Sequence, residues 1–149
     1  MIGEPEQTFS NRLRNVEHAI GSTLPRDYIE LLENGVPKYD VPPVVPFRDD
    51  VWDVLDFFEL GDGPKYVQLD EMCRLVSDVL PRFAVPIASD QAGNLFCLYV
   101  DGPHSGQVVW WDHERASGDY DIEVVSPSLS AFLSSIRQAP GDSEPGLRN

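Results

Sequence analysis

The side chains best suited to chemistry in this sequence are three histidines, two cysteines and a set of acids interleaved with aromatic residues. His18, His104 and His113 fall in three separate segments, and no two have the spacing that puts ligands for one metal on one element. Cys73 and Cys97 have no C-x-x-C neighbour and lie in separate apolar contexts, which reads as two buried thiols rather than a disulfide framework. Asp112-His113-Glu114 invites a metal or acid–base reading, as in a small hydrolase. In an extended segment, however, successive side chains point to opposite faces, so a solvated strand end is expected instead. Ser105 lacks the G-x-S-x-G elbow that exposes a serine nucleophile. Gly61-Asp62-Gly63 has neither P-loop nor dinucleotide-fingerprint spacing. Asp90-Gln91-Ala92-Gly93-Asn94 lacks the ligand alternation and closing glutamate of a calcium loop. Its Asp and Asn are expected to bond local backbone in a turn, with Gly93 at positive φ. The residues therefore predict no catalytic set, no metal and no cofactor.

Charge says more. With 25 acidic and 11 basic residues among 149, the formal net charge is −14. Such a field repels phosphate backbones and anionic membranes and steers the chain towards basic partners. Nucleic acid is disfavoured further by the want of a basic patch. No apolar run approaches the roughly 20 residues needed to span a bilayer. The opening MIGEPEQTFSNRL has no basic stretch leading into an apolar core, so a cytoplasmic protein is expected.

These side chains must be positioned by elements that periodicity predicts. Phe9, Leu13, Val16 and Ile20 give a helix over about Glu6–Ile20, closed by Gly21. A second helix runs from Pro25, with Leu24, Tyr28, Leu31 and Leu32 as its stripe and Asn34-Gly35 as its stop. Prolines 37, 42, 43 and 46 exclude helix and allow an edge strand at Val44–Phe47. A loop and then a strand over about Val54–Leu60 are expected next, a short helix at Val51–Phe58 being the alternative. Val67–Leu80 reads as a third helix burying Leu69, Met72, Leu75, Val76, Val79 and Leu80. Val85–Ala88, Leu95–Val100 and Val108–Trp111 are strands of a β-meander, the centre of the fold. Alternation sends Trp110 and Trp111 to opposite faces, so one lies outside the core as an interface aromatic unless helices cover one face and a loop the other, which is the favoured expectation. After a polar loop at Asp112–Tyr120 comes a strand at Ile122–Val125. Ser126-Pro127 then reads as an N-cap and first helical position for a last helix through Leu129, Phe132, Leu133 and Ile136. The fold class is α+β with a mainly antiparallel sheet and helices at both ends. It is read as one domain over 1–138 with a flexible tail at 139–149.

In this order the chain resembles the SMI1/KNR4 (SUKH) superfamily. The matching pieces are Leu24–Gly35 (LPRDYIELLENG), Val85–Asn94 with Leu95–Val100, Gly106–Asp112, and the helix at Ser128–Ile136. The resemblance covers roughly Val16 to Ile136. Val36 stands where the family often has a second glycine, and Val36–Tyr66 matches least. The resemblance implies an α+β fold. It also implies, for bacterial members, an immunity protein that binds and neutralises a cognate toxin, often a nuclease. Eukaryotic relatives resemble regulatory scaffolds, which gives an intracellular binding module as the alternative.

The combined reading is a non-enzymatic protein-binding domain whose partner is a toxin or another basic protein. Its expected contacts, taken from charge and exposure, are Asp49, Asp50, Trp52, Asp53 and Asp56, with Asp90, Asp112 and Glu114 beside the sheet.

Overall fold

An antiparallel sheet built on the Val85–Asp112 stretch lies at the centre, with helices packed around it. The computed structural model describes residues 8–115 and 122–138. In chain order these contain α1 (Phe9–Ile20), α2 (Arg26–Asn34), β1 (Val44–Phe47), β2 (Asp50–Asp53) and β3 (Asp56–Phe57). Then come α3 (Leu69–Val76), β4 (Ala84–Ser89), β5 (Leu95–Tyr99), β6 (Val108–Trp111), β7 (Ile122–Ser126) and α4 (Leu129–Ser135). The main sheet has the order β3-β4-β5-β6-β7, every pair antiparallel, while β1 and β2 form a separate hairpin. The α+β expectation is met. The start expected at Glu6, most of the 112–120 loop and the tail from Ala139 fall on residues outside those described.

Both faces of the sheet are covered. All five residues of β5 are buried. Its register sets Phe96 opposite Trp110 and Leu95 opposite Trp111, so the two sets face opposite sides. On one side Phe96 packs at 5.3 Å from Phe132 of α4 between ring centroids. On the other, the buried Cys97 lies within electrostatic reach of Cys73 of α3 and of Tyr28 of α2. Trp110 and Trp111 are both buried, as expected where both faces of the sheet are covered, and neither stands out as an exposed interface aromatic.

Local chemistry sets the helix ends. Thr8 Oγ1 accepts from Asn11 N at 3.1 Å, and Gly21, at φ 86°, closes α1 by donating to Glu17 O. Glu17 Oε2 accepts from Leu24 N, fixing the entry to α2. The last helix is capped by Ser128, whose Oγ accepts from Ala131 N at 3.1 Å. Ser126 instead ends β7, which moves the expected cap by two residues.

The greatest departures lie between residues 50 and 80. The expected loop before Val54 is β2, and the expected strand over Val54–Leu60 shrinks to β3 plus a bridge from Glu59 to Gln68. A 3-10 turn at Lys65–Val67 precedes α3, and the third helix is shorter than its stripe suggested. Leu75 and Val79, expected inside, are 56% and 47% exposed. A polar cluster fixes the chain where the helix begins. Arg12 of α1 forks onto Asp70 (Nε–Oδ2 2.8 Å, Nη2–Oδ1 3.0 Å) and donates to Gly61 O at 2.9 Å and to Gln68 Oε1. Gln68 Nε2 passes the connection to Glu59 Oε2 at 3.1 Å, and Lys38 Nζ reaches Glu59 Oε1 at 3.0 Å. Bidentate arginine–carboxylate geometry of this kind fixes orientation as well as contact. A Cβ on Gly63 would come within 2.5 Å of Glu59 Oε2, so a larger residue there would push this carboxylate away from its donors.

Candidate protein-binding surface

The end of the sheet where β4 turns into β5 and β6 leaves is organised by one buried carboxylate. Asp90 is 2% exposed. Its Oδ1 accepts from Ala92 N and Asn94 N, both at 2.9 Å, and its Oδ2 from Asn94 Nδ2 at 3.2 Å and Trp110 Nε1 at 3.1 Å. Four donors on one carboxylate offset the cost of burying its charge. With the Asn94 amide nitrogen turned to Asp90, its Oδ1 faces His113. There it accepts from His113 N at 3.0 Å and lies 2.8 Å from His113 Nδ1, which requires the proton on Nδ1. Gly93, at φ 89°, passes under this ring, and a Cβ there would meet His113 at 3.5 Å. The turn reading of Asp90–Asn94 therefore holds, but Asp90 is not a surface acid. The expectation that it faces a partner is corrected by its burial.

Beyond Trp110 the same network reaches the β1–β2 hairpin. Trp52 lies 4.6 Å from the Trp110 ring and 5.2 Å from Phe47. Arg48 takes the first position of the two-residue hairpin turn at φ 59°, a conformation that costs a non-glycine residue about 1 kcal/mol or more. Its guanidinium sits 5.1 to 5.7 Å from the Phe47, Trp52 and Trp110 ring centres and pairs with Glu123 of β7, interactions that offset the strain. Trp52 is thus half-buried inside a closed aromatic stack.

The remaining acids separate into two groups. Asp53 Oδ2 accepts from Gln91 N at 2.7 Å and pins the hairpin to the β4–β5 turn. Asp112 Oδ1 accepts from Glu114 N at 2.9 Å, opening a 3-10 turn at His113–Arg115. The extended Asp112–Glu114 segment expected from sequence is replaced by this turn, and its histidine is occupied by Asn94. Asp49 and Asp50 are exposed at the hairpin tip, Asp56 is half-exposed in β3, and Glu114 is exposed beyond β6. None of these four is ion-paired to a described residue. No group of three or more His, Cys, Asp or Glu among the described residues could hold a metal ion.

Beside the acids is a feature that the sequence reading missed. A hollow of about 410 Å³ opens between β3, α3 and the end of β6. Its floor includes Phe58, Met72, Val76, Leu95 and Trp111, and Leu55 and Tyr66 stand at its margin, 43% and 68% exposed. A smaller recess of about 190 Å³ near Lys38 and Glu59 adjoins it and shares Leu55, Asp56 and Tyr66. A sequence signal existed at Tyr66, a lone aromatic behind Gly61-Asp62-Gly63-Pro64-Lys65 that fits no apolar stripe. Leu55 had a weaker one, the slip in alternation through Val54-Leu55-Asp56-Phe57-Phe58.

Among the described residues no helix is long and apolar enough to cross a membrane. Sequence comparison adds a relative. The SPbeta prophage-derived uncharacterized protein YokK of Bacillus subtilis (strain 168) is 28% identical over 155 residues, covering 91% of this chain and 78% of that protein. The family profile of SMI1 / KNR4 (SUKH-1) matches residues 10–135, from the first turn of α1 to the end of α4. The chain thus belongs to the SMI1/KNR4 family (SUKH-1).

Proposed function

We propose that this chain is a non-enzymatic binding protein that docks on and neutralises a basic protein, acting as an immunity protein against a toxin of the nuclease kind. One observation carries the reading. Asp49, Asp50, Asp56 and Glu114 present carboxylates without ion-pair partners among the described residues, on a chain whose net charge is −14. Surface acids left without cations are free to meet those of another molecule. A nuclease must expose a basic cleft to hold nucleic acid, and an acidic protein that covers it competes directly with substrate. Long-range attraction would make association fast and salt-sensitive. Family membership and a relative encoded by a prophage are consistent with this role.

Co-expression with the product of the adjacent reading frame tests the proposal. The two proteins should co-purify, and the cell should survive a product that kills it alone. Co-purification without protection would point to a regulatory scaffold. Neither binding nor protection by any neighbouring product would overturn the reading.

A further inference from the structure

We infer that the hollow beside Leu55 and Tyr66 receives an apolar side chain carried on an extended, lysine- or arginine-rich segment of the partner protein; this rests on the protein-binding part of the function proposed above. Backbone restraint is the first argument. Leu55 N donates to Ser89 O at 2.7 Å, so its backbone is tied to the sheet while its side chain stands in solvent. Tyr66 lies in a 3-10 turn closed by Val67 N to Pro64 O and Gln68 N to Lys65 O, and Glu59 N to Val67 O anchors the next residue. Two large apolar groups are therefore held at the mouth of an apolar hollow by restrained backbone. Their backbone, already ordered, loses little freedom on binding.

Charge names the occupant. Apart from the Tyr66 phenol, the ionisable side chains lining the hollow are Asp56, Asp90 and His113; the cation lining the adjoining recess is Lys38, which is paired with Glu59. Asp90 is committed to the fold, and His113 Nδ1 to Asn94. Asp56 is left as an available carboxylate at the mouth, and Asp53 lies at the neighbouring hairpin end. A segment with an apolar anchor flanked by cations satisfies both the floor and the margin. An acidic or neutral segment satisfies only the floor.

The test uses the whole chain and two synthetic peptides, blocked Lys-Gly-Leu-Gly-Lys and its twin Glu-Gly-Leu-Gly-Glu, titrated by two-dimensional NMR. The basic peptide should shift the resonances of Leu55, Tyr66 and Met72 and the indole N–H of Trp111, and added salt should weaken it. The acidic twin should shift none of them. Leu55→Lys should reduce the affinity by about tenfold or more, the loss expected on removing a central anchor. Tyr66→Ser serves as a second variant if Leu55→Lys fails to fold. Equal response to both peptides, or shifts confined to the 44–53 hairpin, would overturn the inference. So would concentration-dependent shifts at these residues in the protein alone, since a second copy would then be the occupant. The two proposals fail separately. Peptide binding without protection from any toxin leaves the hollow and removes the immunity role. Protection unchanged in Leu55→Lys and in Tyr66→Ser removes the hollow.

Discussion

Trp110 and Trp111 are adjacent in sequence and both buried, yet they face different kinds of surroundings. The Trp110 ring is stacked against Trp52 and Phe47 under Arg48, and its Nε1 donates to Asp90. Trp111 forms part of the floor of the hollow, and its Nε1 has no hydrogen-bond partner among the described residues. One face of the sheet end is closed by a hairpin. The other is left partly open by a short α3 and by side chains at 55 and 66 that point away from the core. The same contrast separates the acids: Asp90 has four donors, whereas Asp49 and Asp56 have no cation. Residue type alone did not distinguish them; the donors within reach did.

The sharpest way to break this comparison is to truncate each tryptophan. Trp110→Ala should cost about 3–5 kcal/mol in urea unfolding, as large-to-small changes in closed cores do. Trp111→Ala should cost less, because the space it vacates joins an existing opening. Equal costs would show the two faces to be equally closed. The next effect is Asp90→Ala, at about 2–3 kcal/mol, since the indole and turn donors lose their acceptor in a buried site. Asp49→Ala should stay within about 0.5 kcal/mol. Charge reversal at Asp49 and Asp50 should slow partner association without shifting the melting temperature, whereas reversal at Asp53 should lower it through the lost bond to Gln91.

A smaller effect concerns pH. Burial pushes the Asp70 carboxyl up, but the Arg12 guanidinium outweighs it and holds the group below the usual carboxylate range. Asp70 then binds fewer protons folded than unfolded. Its stabilisation should be complete above the unfolded value near 4 and fade as pH falls through the lowered folded value. Acid titration of Asp70→Asn should show a shallower loss than the parent. Cys73 shifts in the opposite sense, its thiol raised by burial to about 12. Its contribution should be intact at neutral pH and fade as pH rises from about 9 towards 12, and the native thiol should resist disulfide reagents. The smallest expected change is at the margin of the hollow. Leu55→Ser and Tyr66→Ser should move stability by no more than about 0.5 kcal/mol, and a larger loss would make these residues part of the core.

Much of the frame was legible because its signals are local. Gly21 and Asn34-Gly35 end helices in the sequence as in the structure, and the three runs between Val85 and Trp111 are the central strands. The runs carry no polar alternation because the sheet is covered on both sides, a pattern that identifies strands without saying what covers them. Residues 50–80 were less legible for a tertiary reason. The apolar stripe of Val67–Leu80 predicts a longer helix; the bonds from Arg12 to Gly61 and Asp70, 49 and 58 residues away, hold its N-terminal end. The surface acids were found by charge. Which of them are consumed by the fold depended on partners distant in sequence, such as Trp110 for Asp90. Tyr66 was visible only as an aromatic that fitted nowhere.

The hydrogen bond from Leu55 N to Ser89 O has an evolutionary consequence. It uses no side-chain atom, so nearly any residue can occupy position 55 without disturbing the sheet. The margin at Leu55 can therefore change one substitution at a time while the Asp90 turn keeps the fold constant. Sequence change is tolerated where the backbone alone does the holding.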